Sequence, residues 1–377
     1  MASSRRDTPP FRADHVGSLL RPPAVLTARR DLAAGRIDAA ALRSVEDAAI
    51  RDVVRMQEDA GLRSATDGEF RRASWHMDFI YALGGVTRVD DASLRVEFVN
   101  QAGRITFAPP SIRVDGRIAL ERTIFGDDLA FLQGAVSTAM PKLTIPSPSM
   151  VHYRGGRAAI DPVVYPELEG FWSDLADAYA EEVRRLAALG CRYLQLDDTS
   201  LAYLNDPRQR EHVAAIGGDP DRQHETYVAT INRALAGRPQ GLAVTTHMCR
   251  GNFRSSWAAE GGYDFVAEAV FGGLDVDGFF LEYDDARSGG FEPLRFVPRD
   301  KVVVLGLVTT KRPALESRDT LMRRIEEAAR YCDIDRLCLS PQCGFSSTVE
   351  GNALTRDDQL AKLRLVVETA EEVWGAV

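Results

Sequence analysis

The stretch Leu242-Ala243-Val244-Thr245-Thr246-His247-Met248-Cys249-Arg250-Gly251-Asn252-Phe253 decides how the rest of the chain is read. Its first half is small and β-branched, as a buried strand is, and in an extended chain residues i and i+2 point to the same side. His247 and Cys249 therefore face one way together, while Met248 faces the opposite packing. An imidazole nitrogen and a thiolate sulfur are ligands that zinc prefers.

A lone His-x-Cys pair is a weak signal, but two later runs have the same form. Phe279-Phe280-Leu281-Glu282-Tyr283-Asp284-Asp285 is an apolar run that ends in carboxylates, and Leu337-Cys338-Leu339-Ser340-Pro341-Gln342-Cys343-Gly344 ends in a cysteine. Three strand candidates thus each deliver a metal-competent side chain at their C-terminal end, which is where barrel active sites lie. Five more short apolar runs complete the set, near His15 to Leu19, Ser64 to Asp67, Lys142 to Ile145, Arg192 to Leu196 and Val302 to Leu307. Apolar residues recur at three and four in Val45 to Ala60, Glu167 to Ala188, Thr320 to Tyr331 and Asp357 to Val373, the spacing of amphipathic helices. Strand and helix in alternation predict an α/β chain folded as one (β/α)8 TIM barrel over residues 1–377.

Val86 to Ala119 departs from the alternation. Leu94 to Val99, Arg104 to Ala108 and Ile112 to Val114 alternate with period two around turn residues Gln101-Ala102-Gly103 and Asp115-Gly116. Residues 86–119 are expected to form a β-hairpin or small sheet inserted between the second and third barrel strands.

The 377 residues are 45% hydrophobic and 27% charged, which suits a globular chain with a large core. A net charge of −9 argues against nucleic acid or an anionic membrane surface as the main partner. No apolar run reaches the roughly 20 residues of a membrane helix, so a cytoplasmic protein is expected. Five cysteines do not make a disulfide framework in a chain this long. Cys191, Cys332 and Cys338 read as core residues, leaving Cys249 and Cys343 at strand ends.

His247, Cys249, Glu282 and Cys343 are therefore the candidate zinc ligands. Two thiolates and a carboxylate outweigh the charge of the ion, so such a zinc suits holding a substrate sulfur as a nucleophilic thiolate better than polarising a carbonyl. A free thiol of pKa about 8.5 is only a few per cent ionised at pH 7. The expected chemistry is S-alkylation of a small thiol by a small carbon electrophile. Polar side chains also stand at other strand ends: Ser18, Glu69 with Arg71 and Arg72, Asp197, Lys311. Salt-bridge roles for Glu69 and Asp197, a purely structural zinc and a metal-free barrel are the alternatives.

The motifs His-x-Cys, Leu281-Glu282, Pro341-Gln342-Cys343-Gly344, His15-Val16-Gly17-Ser18 and Asp67-Gly68-Glu69-Phe70 resemble the catalytic barrel of cobalamin-independent methionine synthase and its single-barrel relatives. The resemblance runs over almost the whole chain. It implies zinc on His247, Cys249, Glu282 and Cys343, and an amino-acid pocket at Glu69, Asp197 and Ser18. Two features that grip folate in that family are missing: a second, N-terminal barrel, and a tryptophan after the third strand, where this chain reads Ile145-Pro146-Ser147-Pro148-Ser149-Met150-Val151-His152-Tyr153. A sister group, the epoxyalkane:coenzyme M transferases, needs neither. By that likeness the first expectation is epoxide opening by coenzyme M, a lyase-type reaction, with Arg71, Arg72, Arg250, Arg254 and Lys311 as the cations for the sulfonate and His76, His152 or Tyr153 supplying a proton. The alternative is methyl transfer to homocysteine, whose ammonium Glu69 and Asp197 would pair. A homo-oligomer is compatible with either.

Overall fold

The computed structural model describes residues 6–89, 95–100, 103–107 and 111–377. Twelve strands occur among them: β1 Ser64–Ala65, β2 Gly84–Val89, β3 Val96–Asn100, β4 Gly103–Phe107, β5 Ser111–Ala119, β6 Met140–Pro141, β7 Leu143–Pro146, β8 Tyr193–Asp198, β9 Ala243–Met248, β10 Gly278–Glu282, β11 Val302–Val308 and β12 Leu337–Pro341. The last six form one parallel sheet in chain order, β7 to β12. Their residues are buried almost throughout, as expected of strands covered by helices on one side and barrel interior on the other.

The ring closes through shorter links. β6 runs directly into β7 and pairs in parallel with β1, Ser64 opposite Met140. At the other edge Ala13 bridges Leu339, with Asp14 N donating to Leu339 O at 3.0 Å. Side chains join the first segment to the second. Ser64 Oγ donates to Asp14 Oδ1 at 2.9 Å and Thr66 Oγ1 to Gly17 O at 2.6 Å. Asp14 also accepts from Tyr193 and Lys142, so one buried carboxylate ties four of the eight segments.

The first strand expected at His15 to Leu19 is a correction: among the described residues the first segment bridges the barrel sheet at Ala13 alone, and the chain then turns at Gly17. Gly17 sits at φ +142°, and a Cβ there would lie 2.8 Å from Thr144 Cγ2, so the turn requires glycine. The four expected helices are present as Ala39–Asp59, Leu168–Ala188, Arg318–Ala328 and Arg356–Trp374. The first starts two turns early because Asp38 caps it, accepting from Ala41 N. Apolar periodicity reports only the packed part of a helix.

β2 pairs with β5 and β3 with β4, both antiparallel. Leu94, the turn at Gln101 and Ala102, and Ala108 lie outside the described residues. β3 also bonds to the loop after β9, through Val99 N to Trp257 O at 2.7 Å and Trp257 N to Val99 O at 2.9 Å. Among the described residues no helix is long and apolar enough to cross a membrane.

Candidate active site

β9 ends at Met248, and Cys249 extends it by donating its backbone N–H to Asp198 O at 2.9 Å. Extended geometry therefore holds through Cys249, which turns the His247 and Cys249 side chains to one side and buries Met248 completely on the other. Cys343 follows β12. The ligand atoms of His247, Cys249 and Cys343 all lie within 4.8 Å of one another, and the two sulfurs are 3.3 Å apart. Both nitrogens of the buried His247 ring lack a hydrogen-bond partner. Two sulfurs and an unsatisfied imidazole converging on one point suit a soft divalent ion such as zinc.

The two sulfurs lie within hydrogen-bond contact of one another. The hydrogen bond from Cys249 holds the Cys343 thiol well below its ordinary pKa, and the same contact pushes Cys249 well above it. Burial disfavours charge on His247, but neighbouring Cys343, then Asp197 and Glu282, raise it overall.

Glu282 is fully buried at the end of β10, yet it stands apart from this group of three. Its Oε1 accepts from Lys311 Nζ at 3.0 Å and from Arg287, and its Oε2 from Arg250 N at 3.0 Å. Burial alone would raise its pKa, but Lys311, Arg287 and Arg250 outweigh that and hold it far below the carboxylate range. The structure thus brings together three of the four expected ligands and places the fourth in a cationic clasp.

His247, Cys249 and Cys343 border a cavity of about 350 Å³, together with Ser18, Glu69 and Asp197. Glu69 lies in a tight turn with Gly68, both left-handed, at φ 62° and 66°. A non-glycine residue there costs on the order of 1–3 kcal/mol, and the turn is held by Glu69 N donating to Asp67 Oδ1 and Arg21 donating to Glu69 O. The turn aims the carboxylate inward. Its Oε1 accepts from Thr144 Oγ1 at 2.9 Å and lies 3.6 Å from Arg72, while its Oε2 is buried without a partner. Asp197, at the end of β8, is pushed by burial to a pKa of about 7, with His247 pulling it down and Glu69 adding to the rise. Burial likewise raises the Glu69 pKa, with Arg72 and Arg21 opposing, so two buried acidic groups border one cavity and suit an incoming cation.

Several expected residues lie elsewhere. Arg71 points away from the cavity, held by Asp47 and by Asp128 at 3.0 Å, although its neighbour Arg72 reaches Glu69. The Arg250 guanidinium is fully buried and donates to Tyr263 Oη and to the carbonyls of Gly261 and Glu282. Lys311 is spent on Glu282 and Asp284. These three cations are structural clamps, so the expected sulfonate cradle is not assembled from them. His152 also misses the cavity: its Nδ1 pairs with Tyr227 Oη at 3.0 Å, and burial lowers it to about 4. Tyr153 donates to Gln209 and faces a neighbouring cleft. Only His76 of the three proton candidates lines the cavity, its pKa lowered well below normal by burial and by Arg154.

Other cavity residues had no sequence signal of their own. Tyr203 packs against the turn after Cys249, where a Cβ on Gly251 would meet its hydroxyl at 2.6 Å, so the loop needs glycine at φ +89°. Phe107 of β4 stacks on Phe253 at a centroid distance of 4.6 Å and Phe98 of β3 packs against it, tilted, at 5.2 Å, and all three border the cavity. Arg154 lines it too, and was findable only as a charged residue close behind a barrel strand.

The sequence profile of the family described as cobalamin-independent synthase, catalytic domain, matches residues 11–372. Uncharacterized protein YxjH of Bacillus subtilis (strain 168) is 49% identical over 366 residues, spanning 97% of this chain and 95% of that one. The crystal structure of a candidate vitamin-B12-independent methionine synthase from Listeria monocytogenes superimposes with a TM-score of 0.78 at 36% identity, over 98% of this chain and 100% of that one. The 5-methyltetrahydropteroyltriglutamate–homocysteine methyltransferase of Bacillus licheniformis is 23% identical over 322 residues, which cover 85% of this chain but 37% of that longer protein.

Proposed function

The chain belongs to the cobalamin-independent synthase catalytic-domain family, and from that premise we propose that it is a transferase that methylates the thiol of homocysteine. The observation that carries this reading is the carboxylate pair Glu69 and Asp197, which shares one cavity with His247, Cys249 and Cys343. An amino-acid thiol offers an ammonium to the pair and a sulfur to the metal-competent group. Coenzyme M has no ammonium, its sulfonate would meet two carboxylates, and Arg71, Arg250 and Lys311 are engaged elsewhere. Homocysteine is therefore the better-supported acceptor, and epoxide opening is set aside.

His247, Cys249 and Cys343 would hold zinc, with Glu282 as fourth ligand if it leaves Lys311 and Arg287. Zinc, when bound, supplies the positive charge that keeps a substrate sulfur ionised at neutral pH. Glu69 and Asp197 bind and orient the ammonium, and Ser18 borders the amino-acid end. His76, largely neutral, could accept rather than donate a proton. Strands β2 to β5 act in this reading as an insert between the second and third barrel strands, with Phe98 and Phe107 bordering the cavity.

Isothermal titration of the zinc-loaded protein with homocysteine at several pH values tests this. Binding with release of one thiol proton, and no such release with coenzyme M, is the expected outcome. Proton release with coenzyme M alone would overturn the assignment of the acceptor.

A further inference from the structure

The cavity that holds His247, Cys249 and Cys343 also has an aromatic wall. Trp75, Tyr81, Phe98, Phe107, Tyr203 and Phe253 border it, and Phe98 and Phe107 come from β3 and β4. Those strands are fixed at the site by the paired bonds between Val99 and Trp257. Beside this aromatic wall stands Arg154, half-buried, which lines both the cavity and an adjoining cleft of about 200 Å³. Among the described residues Arg154 makes no hydrogen bond or ion pair, whereas Arg71, Arg72 and Arg250 are all engaged. A half-buried guanidinium without a partner, facing a cavity, is a place for an anion.

We propose that the methyl donor is a small zwitterionic onium compound, a methylsulfonium or methylammonium carboxylate, with its carboxylate on Arg154 and its onium methyl against the aromatic wall. This rests on homocysteine as the acceptor. Size is the first argument. A cavity of about 350 Å³ stands at the low end of small-molecule sites and suits two small reactants side by side. Charge is the second, because aromatic faces attract onium cations. Proton demand is the third. A neutral methylamine needs a proton as its C–N bond breaks, whereas an onium centre leaves uncharged without one. His76 is a poor acid in this cavity, burial and Arg154 having lowered its pKa.

The transfer balances without a further reactant. The homocysteine thiol gives its proton to solvent on binding. A sulfur lone pair then forms the new S–CH3 bond as the donor's CH3–S⁺ bond breaks. The broken bond's electron pair stays on the donor sulfur, which departs as a neutral thioether carboxylate.

The test uses zinc-loaded full-length protein, saturating homocysteine, and three probes: dimethylsulfoniopropionate, trimethylsulfonium and 5-methyltetrahydrofolate, with methionine formation as the rate and calorimetry for homocysteine affinity. Methionine from dimethylsulfoniopropionate is expected. Arg154→Gln should raise its KM about tenfold, the scale of one charge-assisted pair. The homocysteine Kd and the KM for trimethylsulfonium should stay unchanged, and Arg154→Lys should recover most of the loss. Phe107→Leu should raise KM for both sulfonium probes. If homocysteine binds with proton release and only 5-methyltetrahydrofolate yields methionine, the donor assignment falls and the acceptor assignment stands. If Arg154→Gln weakens homocysteine instead, Arg154 holds the amino acid and the inference is overturned. If homocysteine does not bind at all, both readings fall together.

Discussion

Cys249 and Cys343 sit 94 positions apart in sequence, and their sulfurs lie 3.3 Å apart. Neither has any other structural task that burial alone would not explain, so Cys249→Ala and Cys343→Ala should each abolish stoichiometric zinc binding while far-UV circular dichroism stays native. Full zinc in both variants would sink the ligand assignment. Glu69→Gln keeps the turn and the Thr144 contact but removes the charge offered to an ammonium. It should raise the homocysteine Kd by about tenfold, the worth of one charge-assisted hydrogen bond, while thiol proton release persists. An unchanged Kd would return Glu69 to a salt-bridge role with Arg72. The neighbours Arg71 and Arg72 mark the limit of reading at this scale. Both follow Glu69, yet the left-handed turn sends one to Thr144 and Glu69 and the other outward to Asp47 and Asp128. Composition cannot tell them apart.

Elements were legible where their period was strong. The alternation in β9 puts His247 and Cys249 on one side of the chain, and the three-and-four spacing located the long helices. Their ends were set by capping chemistry instead. At the last helix, Thr355 and Asp358 form a reciprocal capping box. Thr355→Ala should lower stability by about 1 kcal/mol in urea unfolding with no change in homocysteine affinity. A change in affinity would couple this helix to the cavity through the segment that follows Cys343. The first barrel strand was misplaced by a few residues because His15 to Leu19 has strand-like composition but turns at Gly17. Close packing against Thr144 forced that turn, and no local pattern carries it.

Across the whole molecule, buried charge links stability to pH. Glu182, on the Leu168–Ala188 helix, is fully buried, and both its carboxylate oxygens face Ile124 N. Burial raises its pKa to about 8, with the Ile124 N–H and Arg185 opposing. The folded state therefore binds this proton more tightly than the unfolded chain does. Its stabilising contribution is complete below about pH 4.5 and is lost as pH rises through about 8. Glu182→Gln should consequently gain stability relative to the native protein between pH 6 and 9, by more than about 1 kcal/mol in urea unfolding. A difference that does not vary with pH would mean that the carboxyl ionises normally in the fold.

The sequence by itself determined the alternation of strands and helices and the strand ends that carry His247, Cys249 and Cys343, because these follow from local period and short spacing, while the interest of Glu69 and Asp197 came from the resemblance of their motifs to the family. Only the tertiary structure decided that Glu282 is clasped by Lys311 and Arg287, that Arg71 and Arg250 serve as clamps while Arg154 faces the cavity unpaired, and that Phe98 and Phe107 border the cavity. Partnership among charges and lining by a distant segment depend on contacts between residues tens to hundreds of positions apart. Those contacts exist only once the barrel has closed.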